Sequence, residues 1–143
     1  MSNLAYALDS FALLAYLNDE AGKERVMEIL ILAQKGKCSA LLCTINFGEI
    51  LYIVERRRGL VKAQQVQALI ENLPIKSIEA TRDLVFDAAH IKANRAISYA
   101  DAFVVAMAVR DKAIIVTGDP EFENVEQMAT VEWLAKPGSA SSP

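Results

Sequence analysis

The sequence predicts an α/β fold with a mostly parallel central sheet flanked by helices. Three observations predict it. Short apolar runs such as "LAYALD" (4–9), "SALLCT" (39–44) and "AIIVTGD" (113–119) have the length of buried strands. Stretches of helical periodicity alternate with them, as parallel crossover connections require. The segment "SYADAFVVAMAVRD" (98–111) is apolar almost all round, which suits a helix covered on every side.

The elements follow in order. After the first strand, "SFALLAYLN" (10–18) reads as a helix with Ser10 available as its cap. In residues 20–36 the spacing of Val26, Ile29, Leu30, Leu32 and Ala33 predicts an amphipathic helix ending at Gly36. The second strand, 39–44, leads into a helix over 45–58, with Thr44 as a possible cap and Gly59 closing it. Residues 61–73 form a further helix stopped by Pro74, and "IKSIE" (75–79) alternates as a short strand does. Helices over 81–96 and 98–111 precede the strand at 113–119, and "TVEWL" (130–134) closes the series. One domain over 1–135 is expected, followed by a small, polar, proline-punctuated tail at 136–143 that reads as disordered.

Composition narrows the function. With 143 residues, 53% hydrophobic and 23% charged, the chain is ordinary globular protein. A net charge of −3 argues against bulk electrostatic attraction to nucleic acid, so such a partner needs a local basic patch or a bound cation. A single histidine excludes the usual zinc patterns. Cys38 and Cys43 are an odd number of residues apart, so a strand points them to opposite faces as core thiols. No signal-peptide pattern or membrane-length apolar run occurs, so a cytoplasmic protein with no membrane partner is expected.

Four carboxylates interrupt apolar elements. Asp9 and Asp119 each end a strand, Glu49 sits inside "INFGEILYIV", and Asp101 opens the apolar helix. Each has a local alternative: Asp119-Pro120 opens turns, Ser98-x-x-Asp101 outlines a capping box, and Glu49 could share a polar stripe with Arg56. In a parallel α/β layer, however, strand ends and helix starts can share one edge, which is where ligands bind. Carboxylates gathered there repel unless a cation neutralises them, and hard oxygen ligands suit Mg²⁺ or Mn²⁺. Metal-assisted phosphodiester hydrolysis is the chemistry such a set supports.

The segments "LDSFALLAYL", "TINFGEILYIV", "SYADAFVVAMA" and "IIVTGDPEF" stand in an order and at intervals that resemble PIN-domain ribonucleases, specifically VapC-type toxins of type II toxin–antitoxin pairs. The resemblance spans Leu4 to Leu134. It implies a PIN-like fold and places the family's acids on Asp9, Glu49, Asp101 and Asp119, as holders of one or two Mg²⁺ or Mn²⁺ ions. It implies an endoribonuclease that hydrolyses RNA phosphodiester bonds with metal-activated water. Asp119 would bind a second ion or act through water, and Glu49 would ligate directly or through water. It also implies a cognate antitoxin protein and a homodimer. Ser10, Ser98 and Thr117 stand beside the acids and could hydrogen-bond them, or serve only as caps and turn formers.

Arg56, Arg57 and Arg58, with Lys62 behind them, end a helix where basic residues also suit the dipole; with Arg95 they are the candidates for RNA-backbone contact. His90 reads as structural, and a Ser10–His90 triad lacks the nucleophile elbow. Phe11, Leu14, Ile50, Leu51 and Ile53 read as core, or as a groove for a partner helix if exposed. The rival functions are a PIN-like RNA- or protein-binding module with little catalysis, and a metal-dependent phosphohydrolase of small phosphate esters.

Overall fold

Residues 4–134 of the computed structural model are described; residues 1–3 and the expected tail at 136–143 lie outside them. Five strands form one sheet: β1 (Leu4–Leu8), β2 (Cys38–Cys43), β3 (Lys76–Ile78), β4 (Ile114–Thr117) and β5 (Val131–Trp133). Their spatial order is β3-β2-β1-β4-β5, and every pairing is parallel. The chain therefore runs outward from β1 through β2 to β3, then crosses back to place β4 on the other side of β1. The direction reverses between β1 and β4, and open α/β sheets bind ligands at such switch points.

Among the described residues six α-helices flank the sheet: α1 (Ser10–Leu17), α2 (Lys23–Gln34), α3 (Thr44–Arg58), α4 (Leu60–Glu71), α5 (Arg82–Asn94) and α6 (Tyr99–Asp111). Strand alternation splits the core in two. Ala7, Leu41, Cys43 and Ile115 face α5 and α6, whereas Tyr6, Leu8, Ala40, Leu42 and Val116 face α1 to α4. The two free cysteines fall on opposite sides accordingly, both buried. Helix α6 is buried from Asp101 through Met107 to Ala108, as its all-round apolar pattern requires. Arg25 of α2 clamps the edge strand β5, with Nε donating to Glu132 at 2.6 Å and Nη2 at 3.1 Å, while its guanidinium lies 5.5 Å from the Tyr6 ring centroid.

Several local expectations need correction. Ser10 does not cap α1; it is the first helical residue, and Asp9 is the cap. Thr44 likewise lies inside α3, behind Cys43, which offers no side-chain cap bond. Helix α2 starts at Lys23 rather than near residue 20, because Gly22 sits at φ 98°, outside helical space. A 3-10 turn at Pro120–Val125, not foreseen from the sequence, follows Asp119 and buries Phe122 and Val125. His90 lies near the end of α5 and is exposed.

Phe103 lies in the first half of α6 with 2% exposure, against the Tyr99 ring. Phe103→Ala is expected to cost about 3–5 kcal/mol by leaving a cavity. Urea unfolding followed by circular dichroism should show a lower midpoint at an unchanged slope.

Candidate active site at the carboxyl edge of the sheet

Register builds the site. Leu8 pairs with Val116, so Asp9, just past the end of β1, lies beside Thr117, the last residue of β4, at the switch point. Asp9 is 1% exposed and both of its oxygens are engaged. Oδ1 accepts from the Ala12 backbone N–H at 2.8 Å, capping α1, and Oδ2 accepts from the Thr117 hydroxyl. The Thr117 hydroxyl oxygen in turn accepts from the Asp119 backbone N–H at 2.9 Å. The hydroxyl thus donates to Asp9 and accepts from the Asp119 backbone, so one threonine joins the two strand-end acids.

Asp119 caps the 3-10 turn, accepting from the Glu121 N–H at 2.9 Å. Gly118 lets this turn pass tightly over Phe11: a Cβ there would stand 2.6 Å from Phe11 Cζ. On α6, Ser98 Oγ accepts from the Asp101 N–H at 3.1 Å, half of a capping box. The reciprocal bond does not come from Asp101. Glu121 Oε1 accepts from the Ser98 N–H at 3.0 Å across the chain, so Asp101 is not needed for it.

Asp101, Asp119 and Glu121 each present an oxygen within 4.8 Å of the others'. Oxygens on opposite sides of an Mg²⁺ ion stand roughly 4.2 Å apart, twice a ligand distance of about 2.1 Å. A small side-chain adjustment closes that difference, and an all-oxygen donor set suits Mg²⁺ or Mn²⁺. Glu121 was not among the sequence candidates; its signal was only its place two residues after Asp119, in a segment with other acids. Asp9 and Glu49 lie outside this closest trio but within its field. Both repel the Asp101 carboxylate, as does Asp119. Glu49 is half-buried on α3, with one carboxylate oxygen buried and without a hydrogen-bond partner.

Burial dominates the electrostatics. It pushes the Asp9 carboxyl up to about 7, overriding the hydrogen bonds from Thr117 and Ala12 that pull the other way, with the charges of Asp119 and Glu49 adding to the rise. Asp101 goes up to about 8, first by burial and then by repulsion from Asp9, Asp119 and Glu49, partly offset by Ser98. Helices α1, α3 and α6 all begin at this edge, so their positive N-terminal ends also face the acids.

The basic candidates on α3 separate from this centre. Ser10 is half-exposed at the start of α1. Arg57 stands eight residues beyond Glu49, roughly 12 Å along α3 at 1.5 Å per residue. Arg57 and Arg58 line a cleft with Leu14, Asn18 and Ile53, and Lys62 lines its continuation between α3 and α4. Arg56 packs over the Tyr52 ring at 5.1 Å. Arg95 Nη1 donates to the Asn124 carbonyl at 3.3 Å and to Gln127 at 3.1 Å, bracing the 3-10 turn. Ile50 is buried, while Phe11, Leu14 and Leu51 are half-buried against the same core.

The PIN domain family model matches residues 6–127. Among solved structures, the VapBC2 complex of Rickettsia felis bound to a promoter DNA fragment is similar to this chain: TM-score 0.74, 15% identity, covering 92% of this chain and all (100%) of that one. The DNA-bound VapBC of Salmonella typhimurium gives TM-score 0.71 at 17% identity over 90% of this chain and 97% of that one. Mycobacterium tuberculosis VapC20, a sarcin–ricin loop cleaving toxin, gives 0.67 at 18% identity over 83% and 92%. At these identities the likeness concerns the fold. No curated protein sequence matches the chain significantly.

The raised acids set a pH dependence. Asp9 and Asp101 hold protons in the folded chain at pH values where the unfolded chain, with carboxyls near 3.8, has released them. Their contribution to stability is therefore present at low pH and lost as pH rises through about 7 and about 8. Without divalent metal, Asp101→Asn should raise the melting temperature at pH 8.5 by about 5 °C, by less at pH 5, and hardly at all below the unfolded value of 3.8. Differential scanning fluorimetry across pH reads this directly.

Proposed function

The chain belongs to the PIN domain family, and on that premise we propose that it is a metal-dependent endoribonuclease, the toxin of a toxin–antitoxin pair. The observation that carries this reading is the acidic set at the switch point: Asp9 and Asp119 from adjacent strand ends, Asp101 from the start of α6, Glu49 from α3. These residues, with Glu121, would hold one or two divalent ions. A bound Mg²⁺ or Mn²⁺ would supply water activation and neutralise charge on the scissile phosphate.

The protein's own groups do the rest. Thr117 fixes Asp9 and the Asp119 backbone in one hydrogen-bonded chain. Ser98 and Glu121 hold the first turn of α6, so Asp101 faces the other acids from a rigid element. Glu49 keeps one oxygen free of protein donors and can take a proton from water. An acidic centre of this kind repels RNA on its own, so substrate binding depends on the cations it holds.

The antitoxin reading rests on a second surface. The cleft lined by Leu17, Val54, Leu69, Arg58 and Lys62 is apolar with a basic rim. It suits an apolar partner segment carrying an acidic end. The similar structures from Rickettsia felis and Salmonella typhimurium are VapBC complexes. A homodimer is part of the same proposal, with exposed Leu60 and Val61 as apolar surface beside that cleft. Among the described residues no helix is long and apolar enough to cross a membrane.

Purified protein should cleave RNA with Mg²⁺ or Mn²⁺ and stop in EDTA. Asp9→Asn and Asp101→Asn should each lower kcat by about 100-fold or more. Survival of a mixed RNA pool under every metal condition, or equal rates for wild type and Asp9→Asn, overturns the proposal. A chromogenic phosphate ester run alongside should stay intact; its hydrolysis in place of RNA moves the assignment to small phosphate esters. Divalent metal should also raise the melting temperature, because it binds the folded state and relieves carboxylate repulsion.

A further inference from the structure

The acidic edge contains one fully buried polar side chain not yet given a role. Asn46 has 0% exposure. It precedes Glu49 by three residues, so both side chains share a face of α3. Its Nδ2 donates to the Ala100 carbonyl at 3.0 Å, and Ala100 immediately precedes Asp101 in the first turn of α6. A carbonyl only accepts, so it must meet the amide's NH₂ group, and this fixes which way the amide points. Oδ1 is the atom left over.

That oxygen is buried and has no hydrogen-bond partner, and Glu49 Oε1 is in the same condition. Among the described residues these are the two side-chain atoms left in that state. Their coincidence on one face of one helix, beside the acids, is what demands an explanation. Both are acceptors when Glu49 is ionised, so neither satisfies the other. Leaving two buried acceptors unmade is costly, and a water molecule has two O–H donors to share between them.

We infer that Asn46 is a positioning residue of the nuclease site. Its Nδ2 anchors the α6 turn that carries Asp101, and its Oδ1 orients a water shared with Glu49. The inference rests on the nuclease reading above, and it adds a role for a neutral side chain that the acidic set leaves out. Groups of this kind, one step removed from the ligands, typically tune metal affinity or activity by 10- to 100-fold.

The test compares wild type, Asn46→Ala, Asn46→Leu, Asn46→Ser and, as a control, Ala88→Gly, a buried α5 position in the core packed against α6. Each is titrated with Mn²⁺ while the melting temperature is followed, and RNA cleavage is resolved into kcat and KM. Asn46→Ala and Asn46→Leu should shift the Mn²⁺ midpoint up about tenfold and lower kcat about tenfold or more, with KM for RNA within about twofold. Asn46→Ser, which keeps a hydroxyl, should recover part of the midpoint. Ala88→Gly should lower the melting temperature and leave the midpoint in place.

A midpoint unchanged in Asn46→Ala and Asn46→Leu overturns the inference, as does a shift in Ala88→Gly equal to theirs. If either Asn46→Ala or Asn46→Leu fails to fold, the other and Asn46→Ser carry the comparison. Wild type reports separately on the reading beneath it. A wild type that responds to Mn²⁺ and cuts RNA beside unaffected Asn46 variants removes only this inference. A wild type that does neither removes both.

Discussion

The hydroxyl of Thr117 is the point on which the site depends. It sits where the sheet changes direction, donates to one buried carboxylate and accepts from the backbone of another acid. Its place follows from parallel register, since Leu8 pairs with Val116 and the next residues of β1 and β4 are Asp9 and Thr117. Asp9 then closes α1 with its second oxygen, so a single bond chain fixes a strand end, a helix start and a turn. The turn is held close by Gly118 over Phe11. Each of these contacts removes freedom from the groups it joins.

The opposing effect is charge. Buried carboxylates brought to one edge raise one another's protonation, and for Asp9 burial outweighs two hydrogen bonds that favour the ion. The fold offsets this only in part, through three helix N-termini aimed at the same edge. The edge is thus held together at a cost in stability, and under the proposed function a bound cation would restore what repulsion removes. The apolar core on both sheet faces carries that cost: α6 is buried along most of its length directly beneath Asp101.

Much of this was legible in the chain. Strand and helix alternation, the burial of α6 and the four acids that interrupt apolar elements all follow from periodicity and from polar residues in apolar surroundings. What was not legible depended on distant partners. Ser10 looked like a cap because serine often is one, but Asp9 won the position, since its carboxylate reaches Ala12 while also meeting Thr117. Glu121 stood among Glu123 and Glu126 with nothing to mark it until the Ser98 N–H came within 3.0 Å. Asn46 carried a faint signal, a polar amide three residues before Glu49 in an apolar helix. Arg95 read as a candidate for RNA-backbone contact, and its hydrogen bonds to the Asn124 carbonyl and Gln127 could not be seen from its own position.

The sequence by itself determined the layer architecture, because hydrophobic period and element length are local properties that one chain displays. It also determined which residues carry charge in apolar settings. The tertiary structure decided the strand order, and with it that β1 and β4 are neighbours at a reversal point. It decided that Asp101, Asp119 and Glu121 converge within 4.8 Å, and that the arginines of α3 end far from the acids. The reason is physical: a side chain's type is written at its own position, but its field, its hydrogen-bond partners and its protonation come from atoms up to 108 residues away, as between Asp9 and Thr117.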